Sequence, residues 1–260
     1  MSTAFRVGVV GRLFAGVHEW LDGVAAAWPE GAAPRAVCTM PDDVAAARRL
    51  VAGWLLLHFD GGPRLPLLRE GGRPVVGRSV EYIPMGVPVA PMGDECVGER
   101  AAAHLLPRCA GELVYLGPDA TFSRRREEGF RRACEVAGRT VRTWRLDGAT
   151  DVRAAVRGLP EGSGVFAVHD GAGRQVIAAA LGIGRRVPGD VAVVGVDNQP
   201  WPADGPPVRL SSIPLPLREQ GLRMGRMLRD LLEGRDVPAR DDVLPHAVIA
   251  RESTTGIAGA

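Results

Sequence analysis

The stretch VPGDVAVVGVDNQP, Val187 to Pro200, decides how the rest of the chain is read. Val187-Pro188-Gly189-Asp190 is a turn signal, because each of its last three residues punctuates regular structure for its own steric reason. Val191 to Val196 is a short apolar run, β-branched at most positions, as expected of a strand covered on both faces in a parallel sheet. Asp197-Asn198 follows at once. In an open α/β sheet the carboxyl end of a strand opens into a ligand crevice, where an acid-amide pair can accept from and donate to hydroxyl groups. The same pair also favours turns, so spacing by itself leaves two readings, ligand contact and plain turn.

Composition narrows the class. The chain has 260 residues, 46% of them hydrophobic, with a formal net charge of +2. That is enough to bury a core in one large domain or two small lobes, and it lacks the basic footprint of a dedicated nucleic-acid binder. Every basic residue is arginine, and the 32 arginines are spread along the whole length. Cys38, Cys96, Cys109 and Cys134 are far apart and form no C-x-x-C pair, which points to free thiols in a reducing compartment. Neither a secretory leader nor a membrane span is expected, so the expected location is cytoplasmic.

Outward from Val187, strand-like and helix-like stretches alternate. Strands are expected at Phe5–Val10, Ala36–Met40, Trp54–Phe59, Pro74–Gly77, Leu113–Leu116, Thr140–Leu146, Val165–Val168 and Leu210–Ile213, with a last short one at Ala247–Ala250. Between them, Val17, Trp20, Leu21, Val24 and Trp28 make one helical stripe. Asp42-Asp43 reads as a cap for a helix through Leu50, and Asp94 opens a helix to about Leu106. Further helices are expected at Ser123–Ala137 (capped by Ser123), Asp151–Leu159, Arg174–Leu181 and Leu217–Leu232. Three prolines make Pro84–Met92 extended or irregular. Two α/β halves fit this length better than one very wide sheet. The tail after Leu210 adds a helix and a strand out of turn, as if the chain returned to its first half. The expected division is 1–107 plus about 214–237 for an N-terminal lobe and 108–213 plus about 238–257 for a C-terminal lobe.

Catalytic signatures are missing. The sequence holds no G-x-S-x-G elbow, H-E-x-x-H pair or full phosphate loop, so no enzyme is expected. Gly171-Ala172-Gly173 sits between a strand and a helix but lacks the third glycine of a dinucleotide turn. His58 and Asp60, two residues apart, would share one face of a strand, but no other histidine stands near them in sequence, so no metal and no cofactor are expected. His169 ends a strand directly before Asp170 and is a site position or a loop histidine. Ser123-Arg124-Arg125-Arg126 places arginines in a first helical turn, against the helix dipole; a polar ligand, or a carboxylate such as Asp197, would supply a reason.

Several motifs together resemble one family. VPGDVAVVGVDN, then LSSIPLPLREQG, the amphipathic MGRMLRDLLEG and the closing VIARESTTG resemble the tail of bacterial regulators of the lactose/galactose-repressor family. VFAVHDGAGRQV and FSRRREEGFRRACEVAG resemble two of that family's upstream segments, and Asp94 stands where such proteins carry an Asp. The likeness runs from about Asp94 to Gly256, is topological before that, and is nearest to xylose-operon regulators. It implies a type I periplasmic-binding-protein fold, two Rossmann-like lobes with parallel sheets joined by a three-strand hinge, closing on a small sugar, commonly as a homodimer. It implies ligand contacts at Asp197, at Arg126 or Arg124, and at Asp170 with His169 beside it. Asn198 is carried as a further candidate, and Phe14 stands for the first-lobe wall in the loop Arg12–His18. The family's helix-turn-helix unit does not fit between the chain start and Phe5 or after the closing motif. DNA would therefore be read by a domain absent from this chain, or the chain acts as a stand-alone sensor. A solute-binding protein of a sugar transport system is the alternative of the same fold.

Overall fold

A computed structural model of the chain describes residues 6–11, 16–39, 43–57, 64–148 and 150–256. These form two compact units, Met1–Met92 with Pro216–Leu244, and Gly93–Leu215 with Pro245–Ala260. The chain passes between the units three times, at 92/93, 215/216 and 244/245.

The first unit holds a four-stranded parallel sheet of β1 (Arg6–Val10), β2 (Arg35–Thr39), β3 (Gly53–Leu56) and β4 (Val75–Gly77), ordered β2-β1-β3-β4. α1 (Val17–Ala25), α2 (Val44–Ala47) and α3 (Leu65–Arg69) intervene. α8 (Leu217–Leu232) returns from the second unit's side of the chain to pack on α1. Their backbones meet through glycine. A Cβ on Gly23 would lie 1.9 Å from the Arg218 carbonyl oxygen, and one on Gly221 2.0 Å from that of Trp20.

The second unit is a five-stranded parallel sheet, β6-β5-β7-β8-β9. Its strands are β5 (Leu113–Gly117), β6 (Val141–Arg145), β7 (Ser163–Ala167), β8 (Val191–Val196) and β9 (Ser211–Ile213). Its helices are α4 (Asp94–Leu105), α5 (Thr121–Val136), α6 (Val152–Arg157) and α7 (Asp170–Leu181). Every residue of β5, β7 and β8 is buried, which is why Val191–Val196 has no polar alternation. Phe130 and Phe166 meet with tilted rings 5.2 Å apart in this core, with Tyr115 edge-on to Phe166 at 5.4 Å.

Several expectations need correction. The first boundary falls at Met92, not 107, because α4 packs on α5 of the second unit. A Cβ on Gly98 would meet the Arg126 carbonyl oxygen at 2.0 Å, and one on Gly129 that of Glu95 at 2.0 Å. The last boundary falls after Leu244, not at 238. The Val89 N–H donates to the Ala239 carbonyl, and the Asp241 N–H donates to the Val89 carbonyl, so 239–241 stay with the first unit. Ser123 is not a helix cap, since α5 begins two residues earlier with Ala120 before it. The Ser123 hydroxyl instead donates to the Pro118 carbonyl at 2.6 Å and contacts the Tyr115 hydroxyl at 2.9 Å. α7 starts at Asp170 rather than Arg174, with His169 as its cap. Asp43 precedes α2 without a side-chain cap, and Asp42 lies outside the described residues. Pro84 sits inside a 3₁₀ turn, Val80–Met85, where no α-helical i−4 bond is lost. The strand expected at Ala247–Ala250 reduces to an antiparallel bridge between Ile249 and Ser212.

Candidate functional site

Of the polar residues singled out in the sequence, His169, Asp170, Asp197, Asn198 and Arg126 gather at the carboxyl ends of β7 and β8. β8 ends in a backbone reversal at two successive non-glycine residues, Asp197 at φ 97° and Asn198 at φ 51°. Left-handed backbone costs an L-residue roughly 1–2 kcal/mol, and it persists only where the surroundings over-determine it. Here three consecutive N–H groups are each held. Asp197 donates to the Ile213 carbonyl at 2.9 Å, Asn198 to the Ser212 hydroxyl at 2.9 Å, and Gln199 to Asp170 Oδ2 at 2.7 Å. The Ser212 hydroxyl passes its own hydrogen to Asp170 Oδ1 at 2.6 Å. Gly195 makes room for this carboxylate, since a Cβ there would lie 2.4 Å from Asp170 Oδ1.

Asp170 is therefore a brace: both oxygens are engaged and it is only 3% exposed. Burial pushes its pKa up to about 6, with the charge of Asp197 adding to the rise and the bonds from Ser212 and Gln199 opposing it. His169 caps α7 by accepting the Ala172 N–H at Nδ1, 3.0 Å away. A neutral imidazole that accepts at Nδ1 carries its proton on Nε2, which makes Nε2–H a donor at the strand end. Burial holds His169 below the ordinary histidine range, and the charge of Asp197 opposes that shift.

The arginine cluster divides. Arg126, 4% exposed, donates from Nε to Asp94 Oδ1 at 2.8 Å and from NH1 to the Val168 carbonyl at 2.6 Å, with its guanidinium 5.3 Å from the Phe122 ring centroid. It fixes the residue preceding His169. Arg124 points elsewhere, pairing with Asp119 at 2.6 Å with its side chain 57% exposed, so it does not join the strand-end group. Arg125 pairs with Glu95 at 2.6 Å. With α5 starting at Thr121, only Arg124 of the three lies in the first turn; each of the three arginines has a carboxylate partner, two of them on α4, and these offset the unfavourable dipole.

Four contributors were not singled out from the sequence. Ser212 and Gln199 complete the brace. Arg251 donates to Asn198 Oδ1 at 2.5 Å and to the Leu210 carbonyl at 2.7 Å, so the carbonyl of Asn198 is already engaged. Arg174 donates to Gln199 Oε1 at 3.0 Å. Ser212 and Arg251 stand inside the quoted segments LSSIP and IARESTTG, and Gln199 directly follows Asp197-Asn198, but none has a spacing signature of its own. The closing motif seals this edge of the sheet: the Ser253 hydroxyl donates to the Val193 carbonyl at 2.6 Å, and Thr254 contacts the Ser211 hydroxyl at 2.7 Å.

Phe14, Arg12, His58 and Asp60 lie outside the described residues. Among the described residues no three acidic, histidine or cysteine side chains converge as metal ligands. Gly171 and Gly173 serve packing: added Cβ atoms would meet the His169 ring at 3.2 Å and the Leu210 side chain at 2.7 Å. A cavity of about 450 Å³ lined by Glu112, Arg139 and Arg142 lies at the amino ends of β5 and β6 and contains none of the strand-end residues.

Residues 102–254 match the family described as periplasmic binding protein-like domain. The chain belongs to that family, as a ligand-binding domain of the lactose/galactose-repressor type. Over 172 residues, 60% of this chain and 48% of the other, it is 36% identical to the HTH-type transcriptional regulator GntR of Pseudomonas aeruginosa. A solved structure of the xylose-binding transcription activator xylR matches all of this chain and 72% of its own, with TM-score 0.79 and 21% identity. The transcriptional regulator CelR–cellobiose complex matches 95% of this chain and 84% of its own, with TM-score 0.74 and 26% identity. The family's fold is the type I periplasmic-binding-protein fold, two parallel-sheet α/β lobes. The chain spans 48%, 63% and 55% of three of the curated relatives it matches. No helix among the described residues is long and apolar enough to cross a membrane.

Proposed function

We propose that this domain senses a small sugar, pentose-like in size, on behalf of a bacterial transcription regulator, without catalysing a reaction. The observation that carries this reading is the over-determined Asp197-Asn198 reversal at the end of β8. Asp and Asn adopt left-handed backbone in plain turns too, but a plain turn has no need of bonds from a neighbouring strand and a buried carboxylate of α7 to hold it. On this reading the brace holds the backbone that carries the Asp197 carboxylate, a strong acceptor for sugar hydroxyls, and the Nε2–H of His169, close enough to feel that charge, donates to the same ligand. Of the other candidates, Arg126 and Asp170 act by holding these two, and Asn198 offers its amide NH₂. Phe14 is proposed as an apolar contact from the first unit.

Binding energy would be converted into a signal by closure of the two lobes, shifting a homodimer between states in proportion to the sugar's differential affinity for them. DNA would be read by a helix-turn-helix domain outside this chain, in the cytoplasm. The xylose and cellobiose in the names of two structural neighbours support a sugar as the ligand class. The test is calorimetric titration with D-xylose, D-ribose, D-glucose, D-galactose and cellobiose. Saturable heat with at least one pentose is expected; heat with none of the five overturns the sugar reading.

A further inference from the structure

Arg174 is not among the residues that the resemblance assigns to the ligand; its charge reaches His169 and Asp170, and its side-chain hydrogen bond goes to Gln199 beside them. It lies in α7, one turn after Asp170, and its NH2 donates to Gln199 Oε1 at 3.0 Å. Its NH1 is shielded from solvent and takes no hydrogen bond among the described residues. A guanidinium has donors and no acceptor, so the side-chain atom of Gln199 that faces it can only be the oxygen. The amide has two ends, and fixing one fixes the other. Gln199 Nε2 is thereby turned toward Asp197 Oδ2, 3.4 Å away. At that length the contact is weak, and its value lies in sign: an amide N–H facing a carboxylate is attractive, whereas the reversed amide would set oxygen against oxygen.

We infer that Arg174 is a positioning residue for ligand binding, acting through Gln199 to lock the amide orientation that holds the Asp197 carboxylate in place. The inference rests on the reading of Asp197 as the ligand acceptor, and it adds a pair of residues outside the contact set. The backbone of Gln199 is already fixed by Asp170 and the neighbouring backbone by Ser212 and Ile213. Arg174 therefore governs the side chain and not the course of the loop.

The experiment uses the chain as it stands and whichever sugar of the five-member panel binds it, with thermal midpoints recorded for each variant. Arg174→Met and Gln199→Met should each weaken binding roughly tenfold, the scale of one hydrogen bond. The double variant should bind no worse than Gln199→Met, because both changes remove the same link. Gln199→Glu separates positioning from anchoring. It preserves an oxygen for Arg174 and so keeps any structural anchor, but sets a second carboxylate oxygen against Asp197. It should lose at least as much affinity as Gln199→Met while its thermal midpoint stays with that of the unaltered chain. Additive losses in the double variant, or normal binding by Gln199→Glu, overturn the inference. If Asp197→Ala binds like the unaltered chain, the ligand reading itself fails, a result distinct from either of those.

Discussion

Asp170→Asn is the substitution whose outcome the structure fixes most closely. The carboxyl group is 3% exposed and its pKa is raised from 3.8 to about 6, mainly by burial. A group whose folded pKa is raised stabilises the fold fully below its unfolded pKa and loses that contribution as pH rises through the folded value. In the window from about 4 to 6 the native state holds a proton that the unfolded chain has released, so this group's contribution falls as pH rises. A rise of about two units corresponds to about 3 kcal/mol. Asparagine keeps the shape and has no charge to bury. Its oxygen can accept the Gln199 N–H, and its NH₂ can donate to Ser212 Oγ, reversing one hydrogen bond at a cost of about 1 kcal/mol. The variant should therefore be as stable as the unaltered chain at pH 7.5, or more so, and should lose about 2.5 kcal/mol relative to it between pH 7.5 and pH 4, most of the full difference. Urea denaturation of both proteins at five pH values between these limits measures that difference, and taking the difference cancels other titrating groups such as Glu127, which is held low by Thr143, Arg145 and Arg131 against its burial. A stability difference that does not change across the window would refute the argument. It would mean that Asp170 is ionised in the fold at no cost.

Three further outcomes follow from the same geometry. Asp197→Ala should abolish sugar binding in calorimetry while leaving the apo thermal midpoint nearly unchanged, because its backbone N–H bond to Ile213 survives the change; a large fall in midpoint would mark Asp197 as structural. Arg126→Met should cost about 3 kcal/mol or more in denaturant, since it strands Asp94 and the Val168 carbonyl, whereas Arg124→Met should stay within about 0.5 kcal/mol; equal effects would contradict the division of the cluster. Gly129→Val should lower the thermal midpoint by roughly 6–12 °C, the equivalent of about 3 kcal/mol in a chain of this size, because even its Cβ would fall 2.0 Å from the Glu95 carbonyl oxygen. A neutral result would mean that α4 and α5 can separate freely.

Much of this protein is legible in its sequence because the determining physics is local. An unbroken apolar run such as Val191–Val196 has only a strand buried on both faces as a comfortable home, and the alternation of such runs with amphipathic helices makes parallel α/β layers. The acid-amide pair after that run marks a strand end, and its closing segments resemble one family. What the sequence could not determine is partnership. Asp170 and Ser212 are far apart in the chain, and nothing in either segment reveals that one carboxylate holds Gln199 and the Ser212 hydroxyl together. Arg124 and Arg126 are indistinguishable as residue types two positions apart. Helix rotation alone turns one to solvent and Asp119, and the other inward to Asp94 and the end of β7. Likewise α4 reads as the last helix of the first half, and only the facing glycines Gly98 and Gly129, which let two backbones touch, place it in the second unit. Period and turn chemistry act over a few residues and so are written along the chain. Hydrogen-bond partners and close backbone approaches depend on which distant segments meet, and that is settled only when the sheet is assembled.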